Sequence, residues 1–292
     1  MDLRPLEAFH TVVEEGSVSA AAARLGLSQP AVTARLRALE VLCGRALFRR
    51  RGNRLELTQA GRELRRRTEA AFRVARDALL HVRERGRLDG GLVHLAADGP
   101  FEVMSLLALV RRRHPGLRLQ LGLGNTRYVR EELESGRVDA AVLMVEEERS
   151  DWHLHRLAED RLVLLLPVGH ALAALPEVPL ARLVEEEVVV REVGSITRAL
   201  FDKACGHAGV RIAPAWELGS REAVREAVAA GLGVGVGFAA EQPPDPRLVV
   251  RPIAGVEMRI GRYLACLKER AQLRLNEELF RAARLLTAAG RP

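Results

Sequence analysis

The sequence predicts a molecule in three parts: a mainly α winged helix-turn-helix at residues 1–58, a long linker helix at 59–88, and a two-lobed α/β domain at 89–292. Three observations predict it. The net charge of +7 lies wholly in the first 90 residues, where 18 Arg stand against 11 Asp and Glu, while the remaining residues carry 27 basic and 27 acidic side chains. Two short helical patterns joined by a glycine precede a basic turn. Beyond residue 90, strand-like and helix-like segments alternate, which is the pattern of parallel sheets covered by helices. Such a division joins a polyanion-binding module to an electrically balanced domain with another task.

A chain of 292 residues is too long for one small core. No apolar run approaches the roughly 18 residues of a membrane span, and MDLRPLEAFH lacks the basic and apolar regions of a signal peptide. The expectation is a soluble protein of the cytoplasm, nucleoid-associated and without a membrane partner. Cys43, Cys205 and Cys266 form no C-x-x-C pair, so neither a zinc site nor a disulfide framework is expected.

Residues 3 to 15 set Leu3, Leu6, Phe9, Val12 and Val13 on one helical face. Ser17 is placed to cap an alanine-rich helix to about Leu25, Gly26 to close it in a tight turn, and Ser28 to cap a third helix with Pro30 in its first turn. Val32, Leu36 and Leu39 then face inward, which turns Gln29, Thr33, Arg35 and Arg37 outward. Ser28, Gln29, Pro30, Thr33, Arg35 and Arg37 are the candidate contacts to base edges and nearby phosphates. Arg49, Arg50, Arg51 and Asn53 surround a basic hairpin turn that reads as a wing set against the phosphate backbone. Between Ser28 and Arg54 there are seven Arg and one acid, Glu40.

From Gln59 to Gly86 the pattern is a long helix with a narrow stripe of Leu64, Thr68, Ala71, Ala75, Ala78, Leu79 and Val82. A stripe that narrow buries little against its own chain, so it predicts pairing with a second subunit and two heads on spaced half-sites. Arg87 to Gly91 breaks the helix.

In the last two hundred residues, strands are expected at Leu92–Ala96, Leu117–Leu123, Val138–Val145, Arg161–Val168, Glu187–Arg191, Ala215–Leu218 and Val234–Phe238, with helices between them. Ligands of open α/β sheets bind beyond the carboxyl ends of the strands. That rule selects Asp98, Gly99, Pro100 and Phe101 after the first strand, Asn125 and Thr126 after the second, and Gly194, Ser195 and Thr197 after VVVRE. Free amides and the positive dipole end at such points suit a small anion. No enzyme constellation accompanies them. The G-x-x-x-x-G-K-[ST] pattern fails after Gly194, GLGVGVGF fails as a dinucleotide fingerprint, and the eight His form neither a metal motif nor a catalytic triad. Catalytic and metal-ligating residues are therefore expected to be absent, as is a cofactor.

AAARLGLSQPAVTARLRALE, followed by Leu47-Phe48 and LTQAG, resembles the N-terminal signature of LysR-type transcriptional regulators, with Cys43 where the family usually has leucine. VDAAVLM, LPVGHALA and ELGSREAVREAVAAGLGVGVGF resemble the effector-binding domain of the same family. The resemblance implies a periplasmic-binding-protein-like fold with a metabolite between lobe I (about 91–160 and 267–292) and lobe II (about 161–266). The chain would cross between them near Asp160 and Cys266. It implies a dimer of dimers on an inverted-repeat double-stranded DNA operator, with RNA polymerase as a further partner. AADGPFEVM, REVGSITR and YLACLKER are similar to the branch linked to aminoethylphosphonate catabolism. On that likeness Ser195, Thr197 and the amides around Gly99 and Asn125 would hold the phosphonate, and Asp98 the amine. Two alternatives stand beside this reading: a redox sensor using Cys205 and Cys266, and a metabolic enzyme carrying a DNA-binding head.

Overall fold

The computed structural model describes residues 2–51, 54–65, 67–68, 72, 92–256 and 259–289. The chain divides into two compact units, Met1–Gly86 and Arg87–Pro292.

In the first unit, α1 (Arg4–Glu15), α2 (Val18–Leu25) and α3 (Gln29–Cys43) precede a hairpin of β1 (Phe48–Arg51) and β2 (Arg54–Leu57). Ser17 Oγ accepts from the Ala20 amide and Ser28 Oγ from the Ala31 amide, so both caps form where the hydroxyls predict them. Gly26 closes the turn with φ of 65°, a conformation that costs a residue with a Cβ about 1–2 kcal/mol. Ala21 and Ala22 are buried where the helices cross, and Phe9, Val32, Leu36, Leu39 and Leu47 complete the core. Glu40, the one acid of its basic stretch, accepts from the Leu47 and Phe48 amides and so anchors the wing. Helix α4 begins at residue 59, capped by Thr58, whose hydroxyl accepts from the Gly61 amide. Thr68 Oγ1 meets buried His10 of α1 at 2.6 Å. Ala71, Ala75, Ala78, Leu79 and Val82 of the expected pairing stripe lie outside the described residues.

In the second unit, β3 (Leu92–Ala97), β4 (Arg118–Leu123) and β5 (Ala140–Val145) pair in parallel, with α5 (Phe101–Arg113) and α6 (Thr126–Glu134) between them. β6 (Trp152–Pro167) is a single 16-residue strand. Its first part pairs antiparallel with β12 (Arg259–Leu267), and its last part with β10 (Val234–Phe238) and β11 (Leu248–Ala254). β10 continues in parallel to β8 (Val188–Arg191) and β9 (Trp216–Leu218), while β7 (Val178–Pro179) adds to β11. Helices α7 (Ile196–His207) and α8 (Arg221–Ala229) cover the second lobe. α9 (Arg274–Ala289) packs with α5 on the first, through Leu279, Phe280 and Ala283.

Two expectations are corrected. The sheets are not purely parallel: β6, β11 and β12 run antiparallel to their partners. Nor does the second crossing fall near Cys266. β12 pairs with β5 and with β6 from Trp152 to Arg161, so Leu264 and Cys266 are buried in the first lobe's core, while Ile260 at the start of the strand packs in the second. Gly235 of GLGVGVGF acts by space: a Cβ there would sit 2.7 Å from Val228, so α8 rests directly on β10.

Candidate functional site

Asp98, Asn125 and Ser195 stand at the starts of α5, α6 and α7, and the sheet order brings all three to one cleft between the lobes. Asp98 is buried, and its Oδ2 accepts from the Met144 amide at 2.8 Å and Thr126 Oγ1 at 3.1 Å. Its Oδ1 is buried without a hydrogen-bond partner. Burial pushes the carboxyl above its ordinary range, against the opposing pull of the Arg262 guanidinium, the Met144 amide and Arg221. Ser195 and Thr197 are buried on the opposite side, and Ser195 contributes no side-chain cap to α7. The first amides of that 12-residue helix have no partner within the helix. The enclosed space is lined by Asp98, Asn125, Thr126, Met144, Arg191 and Ser195 to Thr197, with Arg221, Phe238 and Glu241. Only about 10 Å³ is open to a water's centre, room for about one water.

The lobes meet through direct polar bridges. Asn125 Nδ2 donates to Glu192 Oε1 at 3.0 Å, and the Arg127 amide to the Gly194 carbonyl at 3.0 Å. Arg221 donates to the Asp98 carbonyl and, at 2.8 Å, to Glu241. Arg262, on β12, donates to Glu102 at 2.5 Å and to Glu241. A register shift between Arg262 and Tyr263 marks a β-bulge, which re-aims a side chain on a paired strand. The Phe101 ring holds Arg221 at 5.4 Å and Arg262 at 5.3 Å from its centroid, a cation–π seat for both. Burial also raises the Glu241 carboxyl, against Arg221 and Arg262.

Of the residues selected from the sequence, Asp98, Asn125, Thr126, Ser195 and Thr197 line this cavity. Gly99, Pro100 and Phe101 do not. A Cβ on Gly99 would lie 2.3 Å from the Arg221 guanidinium, so glycine there lets Arg221 pack against the start of α5. Asn125 spends its Oδ1 capping α6 through the Tyr128 amide. Gly194, with φ of 108°, lies on the neighbouring outer hollow and gives its carbonyl to the interlobe bridge. Sequence reasoning missed Arg191, Arg221, Glu241 and Arg262. The one available signal was Arg262, a charge amid the apolar YLACL strand.

On the first unit, Gln29, Pro30, Thr33, Ala34 and Arg37 form one open face of α3. Gln29 Nε2 donates to Ser19 Oγ at 3.0 Å, which orients its amide from α2. Ser28 acts as the helix cap. Arg35 departs from the expected face: it lies 3.9 Å from Glu7 of α1. Arg49 is 3.1 Å from Glu56 across the hairpin, an exposed pair worth about 0.2–1 kcal/mol that a phosphate can displace. The backbones of Arg50 and Arg51 continue β1, and Asn53 lies outside the described residues.

Among the described residues no group of three or more His, Cys, Asp and Glu is placed to hold a metal, and no helix is long and apolar enough to cross a membrane. Burial pushes the Cys205 thiol up to about 11 and the Cys266 thiol up to about 12. The two lie in the cores of different lobes, so the redox alternative has no thiolate and no facing pair.

Residues 3–62 match the family described as bacterial regulatory helix-turn-helix protein, lysR family, and residues 83–286 match the LysR substrate binding domain. The chain is 33% identical over 276 residues to the HTH-type transcriptional regulator CbbR of Xanthobacter flavus, covering 90% of this chain and 81% of that one. Full-length CbnR complexed with its target DNA aligns with a TM-score of 0.66 at 22% identity, covering 98% of this chain and 100% of CbnR. The regulatory domain of Synechocystis PCC6803 CcmR in complex with 2-PG aligns with a TM-score of 0.61 at 22% identity, covering 69% of this chain and 98% of CcmR.

Proposed function

The chain belongs to the LysR family of DNA-binding transcriptional regulators, and from that premise we propose that a small zwitterion or anion, closed between its lobes, switches its reading of an inverted-repeat operator. It is a regulator and not an enzyme. The open face of α3, with Gln29, Pro30, Thr33 and Arg37, reads base edges and adjoining phosphates, and Arg49 to Arg51 on the wing bind backbone. Two subunits pair through α4, dimers pair again on the operator, and RNA polymerase is the downstream partner. The work is done in the cytoplasm.

One observation carries the effector reading: buried Asp98, one of whose carboxylate oxygens has no hydrogen-bond partner, lines the same cavity as Ser195 and Thr197. A ligand with a cationic group for the carboxylate and an anionic end for the first turn of α7 satisfies both. An aminophosphonate such as 2-aminoethylphosphonate has that form. Since the closed cavity holds about one water, such a ligand enters only when the interlobe bridges part, and it favours the arrangement in which both of its ends are held.

A second reading is favoured by the CcmR complex, which holds 2-PG in a domain of the same fold. It replaces the zwitterion by a purely anionic metabolite. Thermal shift of the full chain with each compound separates them, because a ligand of the folded state raises its apparent stability. The zwitterion reading expects a rise with 2-aminoethylphosphonate that Asp98→Asn abolishes. A rise with 2-PG alone, retained in Asp98→Asn, rejects it.

A further inference from the structure

Outside the closed cavity, and sharing with it only Thr126, Ser195 and Ile196, lies a second hollow of about 300 Å³. Its walls come from both lobes. Arg127 and Arg130 project from α6 of lobe I, while Val193, Gly194 and the first turn of α7 form the lobe II side, with Arg198 and Asp202 beyond. The charges there do not balance. Arg198 Nε donates to both oxygens of Asp202, at 2.9 and 2.8 Å, and its Nη1 to Glu217 at 3.3 Å, so that group carries one net negative charge against the two positive charges of Arg127 and Arg130. Arg127 and Arg130 make no ion pair among the described residues and are left as two exposed cations facing one space.

Two further features point to an anion. The Arg127 side chain lies flat against Gly194, where a Cβ would stand 2.7 Å from its Nε, so glycine at 194 keeps the guanidinium beside the start of α7. Ser195, only 4% exposed, borders this hollow as well and does not cap its own helix, which leaves a hydroxyl free of protein partners at the helix end. Amides, a hydroxyl and two guanidinium groups converging on one space are the donor set of a phosphate site.

We propose that this outer hollow is a second anion site, adjoining the effector cavity and sharing Ser195 and the start of α7 with it but set apart by Arg127 and Arg130, that takes a small dianion of the phosphate class. Because its donors come from α6 on one lobe and α7 on the other, the bound dianion bridges the lobes and holds the cleft closed. The site rests on the reading of the inner cavity only in that both favour the same closed arrangement.

Isothermal titration of the full chain with inorganic phosphate, at low ionic strength and with sulfate as a second probe, tests it. The wild type is expected to bind phosphate, and Arg127→Ala/Arg130→Ala to weaken that binding about tenfold or more while leaving the response to the inner-cavity ligand. Asp98→Asn and Thr197→Val are expected to leave phosphate binding unchanged. Undetectable phosphate binding in the wild type, or equal affinity in the double variant, overturns the outer site. Loss of phosphate binding in Thr197→Val but not in the double variant moves the anion into the inner cavity, which rejects this proposal and leaves the effector reading intact.

Discussion

At residue 98 the fold holds a carboxylate against its own solvation. One oxygen of Asp98 is satisfied by Met144 and Thr126, and the other has nothing. An unpaired buried polar atom costs about 1–3 kcal/mol, and burial raises the carboxyl in response. An acid whose folded pKa is raised contributes stability that is fully present below its unfolded value of about 4, and loses it as pH rises through the folded value. Asp98→Asn, which mimics the protonated form, is therefore expected to raise the melting temperature of the ligand-free protein at neutral pH by a few degrees. It is expected to flatten the decline in stability above about pH 4 and to weaken binding of a cationic ligand. Melting curves from pH 4 to 8 check this, and a fall in neutral stability would mean that the charge is compensated in the fold. Sequence alone marked Asp98 as the acid at a strand end. The guanidinium groups that surround it come from Arg221 and Arg262, 123 and 164 positions further on, and no local pattern encodes that meeting.

At the scale of elements, the helical head was legible because its signals are local. Ser17, Gly26, Ser28 and Pro30 act within a turn of where they stand, and the structure uses each as its chemistry predicts. Ser17→Ala is expected to cost about 1 kcal/mol, read as a lower urea midpoint, because the Ala20 amide loses its acceptor. On α3, Gln29 and Arg37 share one face but differ in task. Arg37→Ala is expected to weaken binding to all sequences and reduce the salt slope by about 1, whereas Gln29→Ala shifts the preference between sequences. Titrations of operator and scrambled DNA at several salt concentrations separate the two, and identical profiles would contradict the assignment. The strands were legible where both faces are covered, as in VVVR and AAVLMV. WHLHRLAED, the first half of β6, and RIGRYL of β12 were not. Their partners lie about a hundred residues away in sequence, and their mixed composition reflects a place between two lobes.

For the whole molecule, the separation of the two lobe cores decides the chemistry of the thiols. Cys205 and Cys266 are buried and raised, while Cys43 is exposed at the end of α3. Brief iodoacetamide treatment of the native protein is expected to label Cys43 alone, and peroxide to leave operator affinity unchanged in Cys43→Ser. Rapid labelling of Cys205 or Cys266 would restore the redox alternative. The same architecture constrains motion. β6 passes from one lobe to the other as an unbroken strand, paired with β12 as far as Arg161 and with β10 from Leu162 onward. Its one register shift against β12 falls at Leu157, within the first lobe. A change in the angle between the lobes therefore has to bend or twist this strand, which is held by a ladder in each lobe. Closing or opening the cleft is thus coupled to the shape of one continuous strand and not to a loose linker.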